Sequence, residues 1–400
     1  MTDITSPSSS TATRQRPPID AALDAAIEAL QAGNASTARK QFELAMAAGP
    51  VAAPWRVGHA MACLQLGDPL AAEQSVDAAL ALDATNLWAQ ILKGDLRLAA
   101  SDERAALAFY QRALDSAPNR DTLPVPLADA LSRIQRTRGR LLGDVERRLR
   151  DSLGAEITAS GRFQEAVDIL FGHRKLYVQS PKYFHLPGLA SIAFFPREPF
   201  TWLTKLESRF ANIRNEAAEL LGDSEAFRPY IESSRNRPQK DQDGLTDNAD
   251  WGACYLWRNG VPNDPILKRC PATAAAISDI PLADIPNRSP TVLFSRLRPG
   301  AHIPPHCGLI NTRLIGHLPL IVPACCEFRV GNETRVWREG QSWLFDDTIE
   351  HEAWNRSAHE RVIMIFEIWR PEISESERAL LRRLFSTLDQ IGAPTQAWEI

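Results

Sequence analysis

The sequence predicts an α+β chain in two parts, an N-terminal α-helical repeat array followed by a C-terminal domain of short strands. Residues recur at intervals of 34 through the first third, and strand-length apolar runs separated by Pro, Gly, Asn and Asp fill the second half. Polar residues set inside two of those strands mark where chemistry is expected.

Composition sets few bounds. Four hundred residues, 44% apolar and 24% charged, are ordinary for a soluble globular chain. A net charge of −4 gives no electrostatic reason to expect nucleic acid or an anionic membrane as the main partner. Residues 1–19, polar and rich in Ser, Thr and Pro, read as a disordered lead-in without the apolar core of a secretory signal. No stretch reaches the ~18 unbroken apolar residues of a transmembrane segment. The six cysteines are scattered, and the adjacent pair Cys325–Cys326 bridges only with strain, so a reducing, cytoplasmic setting is expected.

The repeat is read from matched positions. Gly33-Asn34, Gly67-Asp68 and Ser101-Asp102 recur in register, as do Ala38, Ala72 and Ala106, then Phe42, Val76 and Tyr110, then Ala45, Ala79 and Ala113. A small residue and a bulky one four later share a helical face, so neighbouring helices approach closely while the larger side chain fills the gap. Three units over 20–118 resemble the tetratricopeptide repeat. Such arrays offer a concave face to a peptide or a neighbouring domain.

Residues 119–182 read as a less regular helical linker region, with "GRFQEAVDILFGHRKLYVQSP" as a further helical hairpin. Its arginines, Arg133 to Arg150, read as a solvated face paired with Asp144, Glu146 and Asp151. One amphipathic helix, "FTWLTKLESRFANIRNEAAELLG", precedes the strands. The strand runs suggest a sandwich or small barrel, with a hairpin turning at Gly331-Asn332. Residues 374–400 form a C-terminal helix and tail, opened by Ser374 as N-cap with Glu377 three residues on.

Two strands carry the chemistry. In "HCGLINTRLIGHLPLIVP" alternation puts Arg313, Ile315 and His317 on one face, and a dry core would not tolerate Arg313 without a partner. That face is therefore expected to line a wet pocket. His306 stands at the mouth of this run and His351 at the start of "HEAWN", and two imidazoles from different strands suit a first-row metal. The carboxylate usual in non-haem iron oxygenases belongs two residues after the first histidine, where Gly308 stands, so an aspartate at 308 is expected to complete such a triad. On spacing alone the pair is either metal-binding or structural. Asp346 and Asp347 either end a strand or hold a metal-bound water.

The run from His306 to "RVIMIFEIWRPEIS" resembles the aspartyl/asparaginyl β-hydroxylase family of 2-oxoglutarate-dependent oxygenases, with a weaker likeness back to about Tyr183 through "WGACYLWRNG". The resemblance implies a double-stranded β-helix (a jelly-roll, cupin-like fold) over 183–373, iron(II) as metal, and 2-oxoglutarate and O2 as cosubstrates. It also accounts for Gly308, because the family lacks the metal-binding carboxylate. Carried over by position, it makes His306 and His351 the iron ligands and Arg361 the partner of the distal carboxylate of 2-oxoglutarate. Trp251, Ser295, Arg313 and His317 become further cosubstrate contacts. Ile315 departs from the pattern, since members carry a second arginine there.

The expectation is a 2-oxoglutarate-dependent dioxygenase hydroxylating an unactivated C–H, by β-hydroxylation of Asp/Asn-type residues in a protein or peptide presented by the repeats. The alternatives are a halogenase, with halide in the empty carboxylate position, and a non-catalytic repeat-based adaptor.

Overall fold

The computed structural model describes residues 18–119, 122–223, 225–233, 244 and 246–390. Most of the expected lead-in (1–17) and the last ten residues of the tail lie outside them. The chain divides into two compact units between Val167 and Asp168.

The first unit contains helices α1 (Pro18–Gln31), α2 (Ala35–Ala48), α3 (Ala53–Gln65), α4 (Pro69–Leu82), α5 (Leu87–Ala99), α6 (Glu103–Ser116), α7 (Val125–Leu153), α8 (Glu156–Ala159) and most of α9 (Gly161–Leu170). The 34-residue period is a turn-and-cap device. Gly33, Gly67 and Ser101 take positive φ, and the next residues, Asn34, Asp68 and Asp102, cap α2, α4 and α6 by accepting from the backbone N–H three residues on. The periodic alanines are fully buried, and the ring of Tyr110 packs where Gly94 has no side chain: a Cβ there would lie 2.4 Å from it. The arginines of α7 are paired, Arg147 with Asp144 at 2.6 Å, Arg150 with Glu146 at 2.7 Å and Arg133 with Asp95 at 2.7 Å, as a solvated face requires.

Two helical expectations differ from the structure. Helix ends at Leu170, and residues 171–182 run without helix along the second unit: Ser180 N–H donates to Thr348 O at 2.7 Å and Lys182 N–H to Gly308 O at 2.9 Å. Hydrogen bonds of Tyr177 with Arg329 and of Gln179 with Asp346 and Asn311 outweigh local helix preference there. The amphipathic helix is two helices, α10 (Leu203–Ser208) and α11 (Phe210–Leu221), breaking at Arg209.

The second unit holds β1 (Arg228–Pro229), β2 (Trp251–Arg258), β3 (Val261–Pro262), α12 (Asp264–Arg269), α13 (Pro271–Ile277), β4 (Val292–Leu297), β5 (His302–His306), β6 (Arg313–Ile321), β7 (Cys326–Val330), β8 (Glu333–Val336), β9 (Trp343–Phe345), β10 (His351–Asn355), β11 (Arg361–Trp369) and α14 (Glu375–Leu388). All named strand pairs are antiparallel. One sheet runs β1-β2-β4-β11-β6-β9 with β3 beside β2, and the other runs β5-β10-β7-β8, together a double-stranded β-helix. The hairpin turns at Gly331, with φ +57°, and Ser374 and Glu377 complete a reciprocal cap on α14.

Strand alternation divides the interior in two. Leu314, Leu318, Met364 and Phe366 face a core shared with α10, α11 and α13. Ile315, Ile363, Phe328 and Ala353 face the space between the sheets. Gly316 lets the strands close: a Cβ there would lie 2.1 Å from the Phe366 ring. Among the described residues no helix is long and apolar enough to cross a membrane.

Candidate active site

Between the sheets lies a cavity of about 310 Å³. All seven residues singled out in the sequence line it: Trp251, Ser295, His306, Arg313, His317, His351 and Arg361. Strand register explains the convergence. His306 on β5 is paired directly with His351 on β10, and Arg361, Ile363 and Ile365 on β11 alternate along the facing sheet.

The imidazoles of His306 and His351 are 4.1 Å apart between ring centroids. Each is oriented the same way. His306 Nδ1 lies 2.8 Å from Pro304 O and His351 Nδ1 lies 3.0 Å from Ile349 O, so each Nδ1 carries the proton and each Nε2 has a free lone pair. Burial lowers both proton affinities, that of His351 well below the ordinary value, which keeps the rings neutral as a metal requires. Among the described residues no group of three or more His, Cys, Asp or Glu side chains is arranged to hold a metal, so the two imidazoles stand as a pair.

Arg361 is the other anomaly. Its side chain is 1% exposed, its guanidinium rests 4.9 Å from the Trp337 ring centroid, and among the described residues it has no carboxylate partner. Burial drives its proton affinity down, to about 10. A charge so placed is strongly unfavourable unless an anion arrives from outside the chain. Ser295 and Trp251 stand near it, joined by an indole N–H to hydroxyl bond of 3.2 Å, and the Trp251 ring stacks on Tyr230 at 4.0 Å. His317 is buried and neutral, edged by Phe328 and Phe345.

Arg313 differs from Arg361 in having partners. It lies 3.4 Å from Asp347 and 3.2 Å from Glu367, both buried. Glu367 further accepts from Ser289 and from Thr291 N–H. Burial raises the Asp347 carboxyl to about 7 despite Arg313 beside it.

The structure separates the two aspartates. Asp346 is fully buried, bound at 2.7 Å to Arg370 and accepting from Thr348 and Gln179, and it lies outside the cavity lining. Asp347 lines the cavity. Gly308 N–H donates to Asp347 O at 2.6 Å, and a Cβ at 308 would lie 2.1 Å from Asp347 Oδ2. The expectation that an aspartate at 308 completes a triad is therefore corrected, because the carboxylate of Asp347 fills that space. His302 stands apart, stacked on Trp354 and 3.1 Å from Glu352.

Sequence reasoning missed Glu367, Trp337 and Tyr230. Glu367 had a usable signal, since it falls in step with Arg361, Ile363 and Ile365 on a strand that is otherwise apolar.

The family model described as Aspartyl/Asparaginyl beta-hydroxylase matches residues 207–371. The aspartyl/asparaginyl beta-hydroxylase of Mus musculus is 33% identical over 189 residues, 46% of this chain and 24% of that protein. Aspartate beta-hydroxylase domain-containing protein 2 of Xenopus tropicalis is 32% identical over 213 residues, 52% of this chain and 55% of that one. The ornithine lipid ester-linked acyl 2-hydroxylase of Rhizobium tropici is 32% identical over 175 residues, 43% of this chain and 58% of that one. The match thus spans about a quarter of the mouse protein and somewhat over half of the other two. Among solved structures, the Arabidopsis OM64 TPR domain aligns with a TM-score of 0.26 at 20% identity, covering 30% of this chain and 95% of that one. PcrH from Pseudomonas aeruginosa aligns at 0.28 and 16%, covering 33% and 98%.

Proposed function

We propose, from the match of residues 207–371 to the Aspartyl/Asparaginyl beta-hydroxylase family model, that the chain is an iron(II)- and 2-oxoglutarate-dependent dioxygenase that hydroxylates an unactivated C–H. The observation that carries the reading is the pairing, in one cavity, of two neutral imidazoles with a buried arginine that has no carboxylate partner among the described residues.

The residues fit the implied groups. His306 and His351 would hold iron through Nε2, with the backbone carbonyls of Pro304 and Ile349 fixing the rings. Arg361 would take the distal carboxylate of 2-oxoglutarate, its planar fork suiting bidentate contact, with Ser295, Trp251 and His317 bordering the same space. Iron and 2-oxoglutarate, once bound with O2, supply the oxidising chemistry. The chain's share is orientation and exclusion of water, done by the apolar wall of Phe328, Trp337, Phe345 and Ile363.

Gly308 supports hydroxylation over halogenation. The space beside it is filled by an acceptor carboxylate, that of Asp347, which disfavours a halide and suits a water held by hydrogen bonding. The adaptor reading leaves Arg361 and the histidine pair without purpose.

The substrate we propose is a protein or peptide presented by the repeat array, hydroxylated at the β-carbon of an Asp/Asn-type residue in the cytoplasm. Arg313 already faces two carboxylates, so the amide of asparagine suits this end of the cavity better than a further carboxylate. The lipid hydroxylase among the relatives makes an acyl chain the competing substrate. The test is succinate formation from 2-oxoglutarate by the full chain with iron(II), followed by mass spectrometry of incubated cell extract for added oxygen. Succinate, with one oxygen gained on asparaginyl peptides, is expected. Oxygen found only on lipid acyl chains would replace the substrate proposal, and no succinate under any condition would end the enzymatic one.

A further inference from the structure

A second, larger cavity, about 780 Å³, opens elsewhere on the same unit, and nothing in the reading above uses it. Its lining includes Arg197, Arg335 and Arg338 against a single carboxylate, Glu207. Glu207 is already committed. It meets Arg197 through two contacts of 2.8 Å, and the two side chains clamp one peptide, Arg197 donating to Ser342 O at 2.6 Å and Ser342 N–H donating to Glu207 at 2.6 Å. That clamp takes up Glu207 and leaves the other two cations of the lining outside it. Arg338 is exposed and has no ion pair among the described residues. Arg335 lies on the face of Phe194 at 3.8 Å, with exposed Glu333 at 2.6 Å as its carboxylate partner among the described residues.

Two further groups in the lining are unsatisfied. Ser342 is 3% exposed and Trp343 is 9% exposed, yet the Ser342 hydroxyl and the Trp343 indole N–H have no hydrogen-bond partner among the described residues. Buried donors left unpaired are unfavourable, and each calls for an acceptor supplied from outside. Guanidinium groups beside spare donors match the oxygens of phosphate or carboxylate.

We propose that this cavity is a second binding site, for a small multivalent oxyanion bearing phosphate or carboxylate groups. It is linked to the active-site cavity by one aromatic contact, between a tryptophan of each lining. Trp343 lies 5.9 Å from Trp337 at an interplanar angle of 22°, and Trp337 in turn supports the Arg361 guanidinium. An oxyanion accepting from Trp343 is therefore two aromatic rings from the arginine assigned to 2-oxoglutarate.

The probes are pyrophosphate and tricarballylate, a phosphate and a carboxylate polyanion, titrated calorimetrically into the full chain at constant ionic strength, with tryptophan fluorescence as a second readout. At least one should bind saturably at one site, with a fluorescence change, and the tighter one names the ligand class. Binding should fall at least tenfold in the double variant Arg335→Ala/Arg338→Ala and several-fold in Ser342→Ala. It should persist in Arg361→Met, which excludes the active site. Binding lost in Arg361→Met, binding unchanged in the double variant, or no saturable binding of either probe would overturn the proposal.

Discussion

The carboxylate of Asp347 occupies the place a side chain at Gly308 would need: a Cβ built at 308 would stand 2.1 Å from Asp347 Oδ2 and 2.3 Å from its Cγ. The two are also joined through the backbone, Gly308 N–H to Asp347 O at 2.6 Å. The space at 308 is therefore filled by a carboxylate that lines the cavity and faces Arg313, carried by the loop after β9 rather than the one after β5.

It follows that Gly308→Ala disturbs the site even though it adds one methyl. The variant should lose about 1–3 kcal/mol of stability, the range for overpacking a filled interior. In an Asp347→Ala background, which clears the space, the same substitution at 308 should cost much less in thermal melts. An equal cost of Gly308→Ala in the two backgrounds would mean the two positions do not compete for space.

Histidine loss should separate metal from fold. His306→Ala and His351→Ala should each abolish succinate formation at ordinary iron concentrations while circular dichroism stays unchanged, because the proposal makes each ring one of two protein ligands of the ion. Full turnover by either variant would remove the metal assignment.

Arg361→Met should act in opposite directions on binding and stability. The requirement for 2-oxoglutarate should rise at least about tenfold, since losing one partner of a buried charge pair costs ~2–5 kcal/mol. The ligand-free protein should become more stable, by roughly 1 kcal/mol or more, because an apolar side chain of similar size replaces a buried charge with no carboxylate beside it. A melting temperature lowered without ligand would show that the charge is compensated.

Asp347 gives a pH dependence with a definite sign. Its carboxyl is raised to about 7 by burial, from an ordinary value of 3.8, so between pH 4 and 7 the folded state binds more protons than the unfolded one. Stability from this group is therefore greatest below pH 4 and falls as pH rises to 7. Melts of the metal-free chain compared with Asp347→Asn should show the variant gaining relative stability across that window. A constant difference would contradict the shift.

Much of this was legible in the sequence because it rests on periodicity. The 34-residue register foretold the close-packed alanines and marked the turn positions, whose capping role only the structure shows, and alternation foretold the shared face of Arg313, Ile315 and His317. What stayed hidden depends on distant partners. Nothing local distinguishes Asp346, bound to Arg370, from Asp347, bound to Arg313; only the turn between β9 and β10 decides. Residues 171–182 read as helical because their docking partners, among them Gly308 and Thr348, lie more than a hundred residues away. The break at Arg209 carries no proline or glycine to announce it.

The most direct test of the central claim is equilibrium binding of 2-oxoglutarate to the full chain under nitrogen, with and without iron(II). The account predicts binding that is strengthened by iron(II) in the native chain, loses that strengthening in His306→Ala/His351→Ala, and weakens at least tenfold in Arg361→Met. Binding indifferent to iron(II), to both histidines and to Arg361 would contradict it.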